Sequence, residues 1–230
     1  MAKRWITVVL LCSSTSGAQG LKITARLFNQ SHVSQSVLAT AKEEATYALQ
    51  TAAVDVRWVD CALPGKCDRA VGPDEFEILV RKAAPSTSSQ DRGVEALGEA
   101  LLPRDKPGCY AMAYFSEIRR VANRISGISA GQILGYVIAH EIGHLLLGAR
   151  HEDGTIMQER WSNVEFEMMS KRQLRFDTLP GPERKNKKMA QIRMHDAHSP
   201  LGTYGRSSLR FENNAVSSTL ALCEQTANPM

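Results

Sequence analysis

The chain has 230 residues, 43% hydrophobic and 23% charged, and carries a formal net charge of +4 at neutral pH. That length suffices for one well-buried core, so a single main domain is the economical reading. Residues 19–180 are close to charge balance and the basic excess falls in 181–230 and at the extreme N-terminus, which argues against a nucleic-acid-binding surface.

At the N-terminus, Lys3 and Arg4 precede an apolar run from Trp5 to Cys12, and Ser16, Gly17 and Ala18 supply small residues at a cleavage point. This is the pattern of a secretory signal peptide over residues 1–18, which implies a secreted or periplasmic protein. Leu11 before Cys12 disfavours lipid modification. No later segment offers about 20 uninterrupted apolar residues, so no stable membrane insertion is expected.

Leu21 to Phe28 alternates like a strand, Val33 to Ala53 reads as a helix rich in Ala, Leu, Lys and Glu, and Val54 to Val59 reads as a second strand. Beyond the signal segment the cysteines are Cys61, Cys67, Cys109 and Cys223. In an oxidising compartment they predict two disulfides. Cys61 and Cys67 bracket a Pro64-Gly65 turn and can close a short loop, leaving Cys109 for Cys223; the other two connectivities stay open.

Phe76 to Val80 predicts a third strand, Pro85 to Gln90 a loop, and Tyr110 to Phe115 a fourth strand feeding a long helix. That helix, from Ile133 to Leu147, is apolar on most faces and is therefore expected to be buried. From Gly181 onward periodicity is lost and Pro, Ser, Asn and Lys increase, so residues 181–230 read as a basic, polar, flexible extension to a main domain over 19–180. His195 and His198 lie in that extension, a poor scaffold for a catalytic site.

Inside the buried helix stand His140, Glu141 and His144, followed by Gly148, His151, Gly154 and Met157. Positions i and i+4 of a helix lie one above the other, so both imidazoles can reach one ion with Glu141 beside its open position. Burying such groups unpartnered costs roughly 2 to 7 kcal/mol for each polar group, which a metal explains better than chance. Three protein ligands and a water make a catalytic zinc site, and no cysteine is nearby to close a structural one. Zinc would lower the pKa of its water to about 7, with Glu141 as general base and then acid toward the leaving amine. Gly148 fits a left-handed C-cap ending the helix.

The run His140-Glu141-Ile142-Gly143-His144 with Gly148, His151 and Met157 resembles the metzincin clan of zinc metalloproteases, whose signature is His-Glu-x-x-His-x-x-Gly-x-x-His with a methionine turn beneath the metal. It also looks like a group of secreted bacterial metzincin-like proteins. The general layout covers Leu21 to Phe176, and the specific part runs from Gly135 to Trp161. Two departures stand out. Leu145, Leu146 and Leu147 occupy a stretch where the signature has two positions, and no tyrosine follows Met157 two residues on.

The resemblance implies an α/β (α+β) fold: a twisted mixed sheet, a long helix, a zinc-bearing active-site helix and a small C-terminal subdomain after the metal loop. It makes His151 the third ligand beside His140 and His144, with one catalytic Zn2+, and Met157 the turn methionine. Glu152 and Asp153 remain alternatives to His151, and Met157 can also be read as a core gap-filler. Glu165 is a more distant competitor, but Ser162-Asn163-Val164-Glu165 is a capping box starting a helix through Leu174. If the likeness holds, the strand at Tyr110 to Phe115 is the sheet edge along which an extended peptide lies; by itself it is an ordinary strand. Few residues separate the cleavage point from Leu21, so no pro-segment is expected.

The expected function is a secreted zinc-dependent endopeptidase acting on peptide or protein substrates as a monomer. Two alternatives remain: a secreted zinc-binding protein without turnover, and a zinc amidase acting on a non-protein amide.

Overall fold

The computed structural model describes residues 20–61, 67–84, 96–102 and 108–177. The expected signal segment, the Pro85 to Gln90 loop, Cys223, His195, His198 and the C-terminal extension lie outside these residues.

The described chain forms a mixed α/β fold. Strand β1 (Leu21–Asn29) is followed by helix α1 (Gln35–Gln50), then strands β2 (Val54–Asp60), β3 (Glu75–Arg81), β4 (Gly98–Leu101) and β5 (Tyr110–Tyr114). Helices α2 (Phe115–Arg124), α3 (Ala130–Leu147) and α4 (Asn163–Ser170) complete it. The five strands make one sheet in the order β2-β1-β3-β5-β4. β1 pairs in parallel with β2 and β3, and β3 pairs in parallel with β5, while β4 runs antiparallel to β5 at the edge. The first three elements are thus a strand, a crossover helix and a parallel neighbouring strand, the connection that parallel pairing requires.

Period-two alternation turns Ile23, Ala25 and Leu27 of β1, Ile78 and Val80 of β3, and Ala111 and Ala113 of β5 into one core with α1 and α3. Leu79, Tyr110, Met112 and Tyr114 form a second cluster on the opposite face. Every residue of β5 is buried, as befits a central strand covered on both faces.

α1 begins at Ser34, whose side chain accepts from Val37 N. Its Ala41, Ala45 and Ala48 are fully buried and let α3 come close: a side chain at Gly135 would meet Ala41 O at 2.6 Å. α3 opens with a capping box that composition alone did not reveal. Ser129 N donates to Gln132 Oε1 at 3.0 Å, and Gln132 N donates to Ser129 Oγ at 3.2 Å. The helix accordingly starts at Ala130, three residues before the apolar run suggested.

Three expectations are corrected. The strand at Tyr110–Tyr114 lies inside the sheet, between β3 and β4, and the edge belongs to the short β4, which pairs Gly98 with Ala113 and Leu101 with Tyr110. Phe115 starts α2, which stands between β5 and α3, so β5 does not feed the histidine helix directly. The capping box at Ser162 and Glu165 is present, but α4 ends at Ser170 and Gln173–Phe176 continues without helix.

Cys61 and Cys67 form a disulfide with their Cα atoms 5.7 Å apart. Cys109 is also disulfide-bonded. No helix among the described residues is long and apolar enough to cross a membrane.

Candidate metal centre

α3 carries His140 and His144 one turn apart on a helix whose residues from Ile133 to Leu145 are all buried. The helix ends at Gly148, with φ 85° and ψ −169°. The positive φ was anticipated, but the ψ is not that of a left-handed cap; it lies in a region essentially reserved for glycine. Gly148 N still closes on His144 O at 2.8 Å, and the chain then turns back so that His151 faces the helix.

The ligand atoms of His140, His144 and His151 lie within 4.8 Å of one another. The Nε2 atoms of His140 and His144 are 3.0 Å apart, close to the roughly 3.3 Å separation that a tetrahedral ion with bonds of 2.0 to 2.1 Å imposes. The ring of His144 stands nearly perpendicular to those of His140 and His151, at 85° and 89°. This group of three is the only such cluster of potential metal ligands among the described residues.

Each helical histidine is oriented through its other nitrogen. Nδ1 of His140 lies 2.7 Å from Ile156 O, and Nδ1 of His144 lies 3.1 Å from Gly148 O. A carbonyl can only accept, so each Nδ1 carries the proton and donates, and each Nε2 keeps its lone pair for a metal. Burial lowers the pKa of His140 to about 4, offset in part by the bond to Ile156 O and reinforced by His144 and His151. His144 is lowered for the same first reason, with Gly148 O opposing and His151 adding. Both rings are therefore neutral near pH 7, the state in which imidazole ligates.

Glu141 is buried beside the histidines, and burial first, then the nearby Glu99 carboxylate, raise its pKa well above the ordinary range. Met157 is buried directly beneath α3, where a side chain at Gly143 would collide with its sulfur. Its backbone carbonyl accepts from Glu152 N at 3.0 Å, closing the loop that bears His151. Glu165 is engaged in its cap, accepting from Ser162 N at 2.6 Å and Ser162 Oγ at 2.7 Å.

Thus His140, His144 and His151 converge, with Glu141 next to His140 on the same buried helix and Met157 beneath Gly143. Further residues join them that the sequence did not single out. Trp161 packs edge-on against His140 with ring centroids 5.6 Å apart, and its buried Nε1 has no hydrogen-bond partner among the described residues. Gly98 and Glu99 bring the sheet edge against Glu141. Trp161 had a readable signal, an aromatic four residues beyond Met157; Gly98 and Glu99 had none.

No protein-family model matches this sequence, and no curated protein matches it. Among solved structures it is similar to the crystal structure of metalloproteinase-II from Bacteroides fragilis, with a TM-score of 0.41 and 15% identity over 77% of this chain. The chain spans 55% of the length of that protein.

Proposed function

We propose that this chain is a zinc-dependent endopeptidase of metzincin type, exported from the cell, with residues 19–180 as its catalytic domain. The observation that carries this reading is the pairing of two facts. Three imidazoles converge with Nδ1 of the two helical ones committed to backbone carbonyls, and a buried carboxylate, Glu141, directly follows the first of them on the same helix.

The donor set fits zinc. Neutral nitrogen ligands suit Zn2+ and its neighbours in the transition series, whereas Mg2+ and Ca2+ require an oxygen cage. His140, His144 and His151 would hold the ion, leaving a fourth position open as catalytic zinc sites do. A zinc ion bound there supplies a Lewis-acid pole for the scissile carbonyl and brings the pKa of water to about 7.

The protein's own part follows from its residues. Glu141, with its pKa raised well above the ordinary carboxylate range by burial, accepts a proton from the attacking water and returns it to the departing amine. The Ile156 and Gly148 carbonyls hold the imidazoles in one tautomer throughout. Trp161 and Met157 pack around His140 and under Gly143 and keep the ligands from shifting. Export is supported by the N-terminal pattern and by the Cys61–Cys67 disulfide.

Zinc content and casein or gelatin hydrolysis, measured on the purified protein beside Glu141→Ala, test this. One zinc per chain in both, with cleavage by the wild type alone, is the expected result. Zinc in both and cleavage by neither moves the reading to a non-peptide amide or to a binding protein; absence of zinc ends it.

A further inference from the structure

Gly98 lies in β4, where pairing with Ala113 turns it toward α3. An ideal Cβ built there would stand 2.5 Å from Glu141 Oε1, 3.0 Å from Glu141 Cδ and 2.8 Å from Val137 Cγ1. Such separations are below ordinary van der Waals contact, so the space a side chain would take at position 98 is the space the Glu141 carboxyl occupies.

The strand cannot easily give way. Tyr114 N donates to Leu97 O at 2.9 Å, and Tyr114 Oη donates to Glu99 Oε2 at 2.9 Å. One tyrosine of the fully buried central strand therefore clamps both neighbours of Gly98. Between a clamped edge strand and a buried helix, the movable group is the end of the Glu141 side chain.

We infer that Gly98 is a positioning residue for Glu141: the bare Cα of the sheet edge is the wall that sets where the carboxyl sits. This rests on the proposed role of Glu141 as base. The same contact joins the strand edge to the base, so any shift of β4 is felt at the carboxyl before it is felt at the ligands.

Gly98→Ala is the direct test. It should retain one zinc per chain and a KM within about twofold of wild type, with kcat lowered about 10- to 100-fold, the size of effect that follows from misplacing a reacting group by about 1 Å. An unchanged kcat, or a joint loss of zinc and activity, overturns the inference. Thermal unfolding tests the contact without any activity. Overpacking by one methyl should lower Tm by about 3 to 8 °C in the wild-type background. The drop should persist in Glu141→Gln, which keeps the volume, and shrink in Glu141→Ala, where only the Val137 Cγ1 contact remains. An equal drop in all three overturns the inference. Should Gly98→Ala alone fail to fold, recovery in the Gly98→Ala/Glu141→Ala double variant supports it and failure of both overturns it. If the wild type cleaves no peptide, the peptidase reading fails and the Tm pattern alone decides whether Gly98 places Glu141.

Discussion

Arg172 reaches Glu44 across the fold: Nε lies 3.1 Å from Oε2 and Nη2 lies 3.0 Å from Oε1, joining residues 128 apart in sequence. Nη2 also meets Glu43 at 2.5 Å, the guanidinium lies 5.2 Å from the centre of the Tyr47 ring, and Tyr47 Oη donates to Arg172 O at 3.0 Å. Arg172 accepts a positive φ of 54° in making these contacts. They anchor the start of an extended strap, Gln173–Phe176, in which Leu174 and Phe176 are buried and Arg175 O accepts from Ile156 N at 2.9 Å. Ile156 in turn offers its carbonyl to His140.

Arg172→Ala should therefore act in two places. Leaving the buried Glu44 without its fork should cost about 2 kcal/mol, discounted for the exposure of the arginine. Zinc affinity should fall as well, because the carbonyl that orients His140 loses its backing. Thermal unfolding and a competitive zinc titration on one preparation check this. A lowered Tm with unaltered affinity would show that the strap stabilises the fold without reaching the site.

Gly148→Ala should damage the centre more than its position past the end of a helix suggests. A β-carbon in that backbone region costs about 1 to 3 kcal/mol, and relief of the strain moves the carbonyl that accepts from His144. Loss of such an orienting partner typically lowers metal affinity about 10- to 100-fold. Comparing zinc dissociation constants for Gly148→Ala and Gly127→Ala separates the cases: Gly127 also has a positive φ, of 84°, but lies outside the site, so its variant should lose stability and keep its affinity.

Glu75 gives the fold an acid-sensitive link. Burial would raise its pKa, but hydrogen bonds from Arg69 and Gly72 N and the charges of Arg26 and Arg69 hold it below its ordinary value of 4.5. The unfolded chain thus takes up a proton before the folded one does. The stabilisation is complete above the unfolded value and is lost as pH falls through the folded one. Glu75→Gln should cost about 2 kcal/mol at pH 7, with the gap to wild type narrowing below about pH 4.5. Denaturant titrations at pH 7, 5 and 3 check it; a gap that does not change with pH would contradict the ionic origin.

Cys61→Ser with Cys67→Ser should lower stability by about 2 kcal/mol, the chain-entropy value for so short a loop. The disulfide precedes the turn whose Arg69 and Ala70 carbonyls accept from the buried Arg26 at 2.8 and 3.0 Å. That turn packs on the sheet face opposite the histidines, so zinc affinity should not change. A calorimetric scan and a zinc titration measure the two quantities independently.

The histidine cluster was legible because its parts are local. His140 and His144 follow helical spacing, Gly148 marks the end, and Ser162 with Glu165 spells a cap. The edge of the sheet was not legible. Gly98-Glu99-Ala100-Leu101 contains a glycine and an alanine with weak strand preference and becomes a strand only by pairing with β5. Tyr110 to Tyr114 offered a warning against the edge role: an unbroken run without polar alternation marks a strand covered on both sides. α2 was hidden by ending the strand one residue late, although Phe115, Ile118, Val121, Ala122 and Ile125 keep a helical period. The burial of Arg26, which depends on a turn more than 40 residues away, has no local signature at all.

The histidines and both carbonyls that orient them fall between positions 140 and 156, whereas the wall against Glu141 comes from position 98 through a sheet pairing. Contacts of short sequence separation close early in folding, and those across longer separations, such as the 43 residues between Gly98 and Glu141, close late. If the three imidazoles hold an ion and Glu141 is the base, a chain still assembling captures that ion before β4 is seated and places the base only when the sheet edge docks. On the proposed reading, metal loading and hydrolytic competence are separate milestones in the life of one molecule, and a newly made chain acquires the second only when its fold is complete.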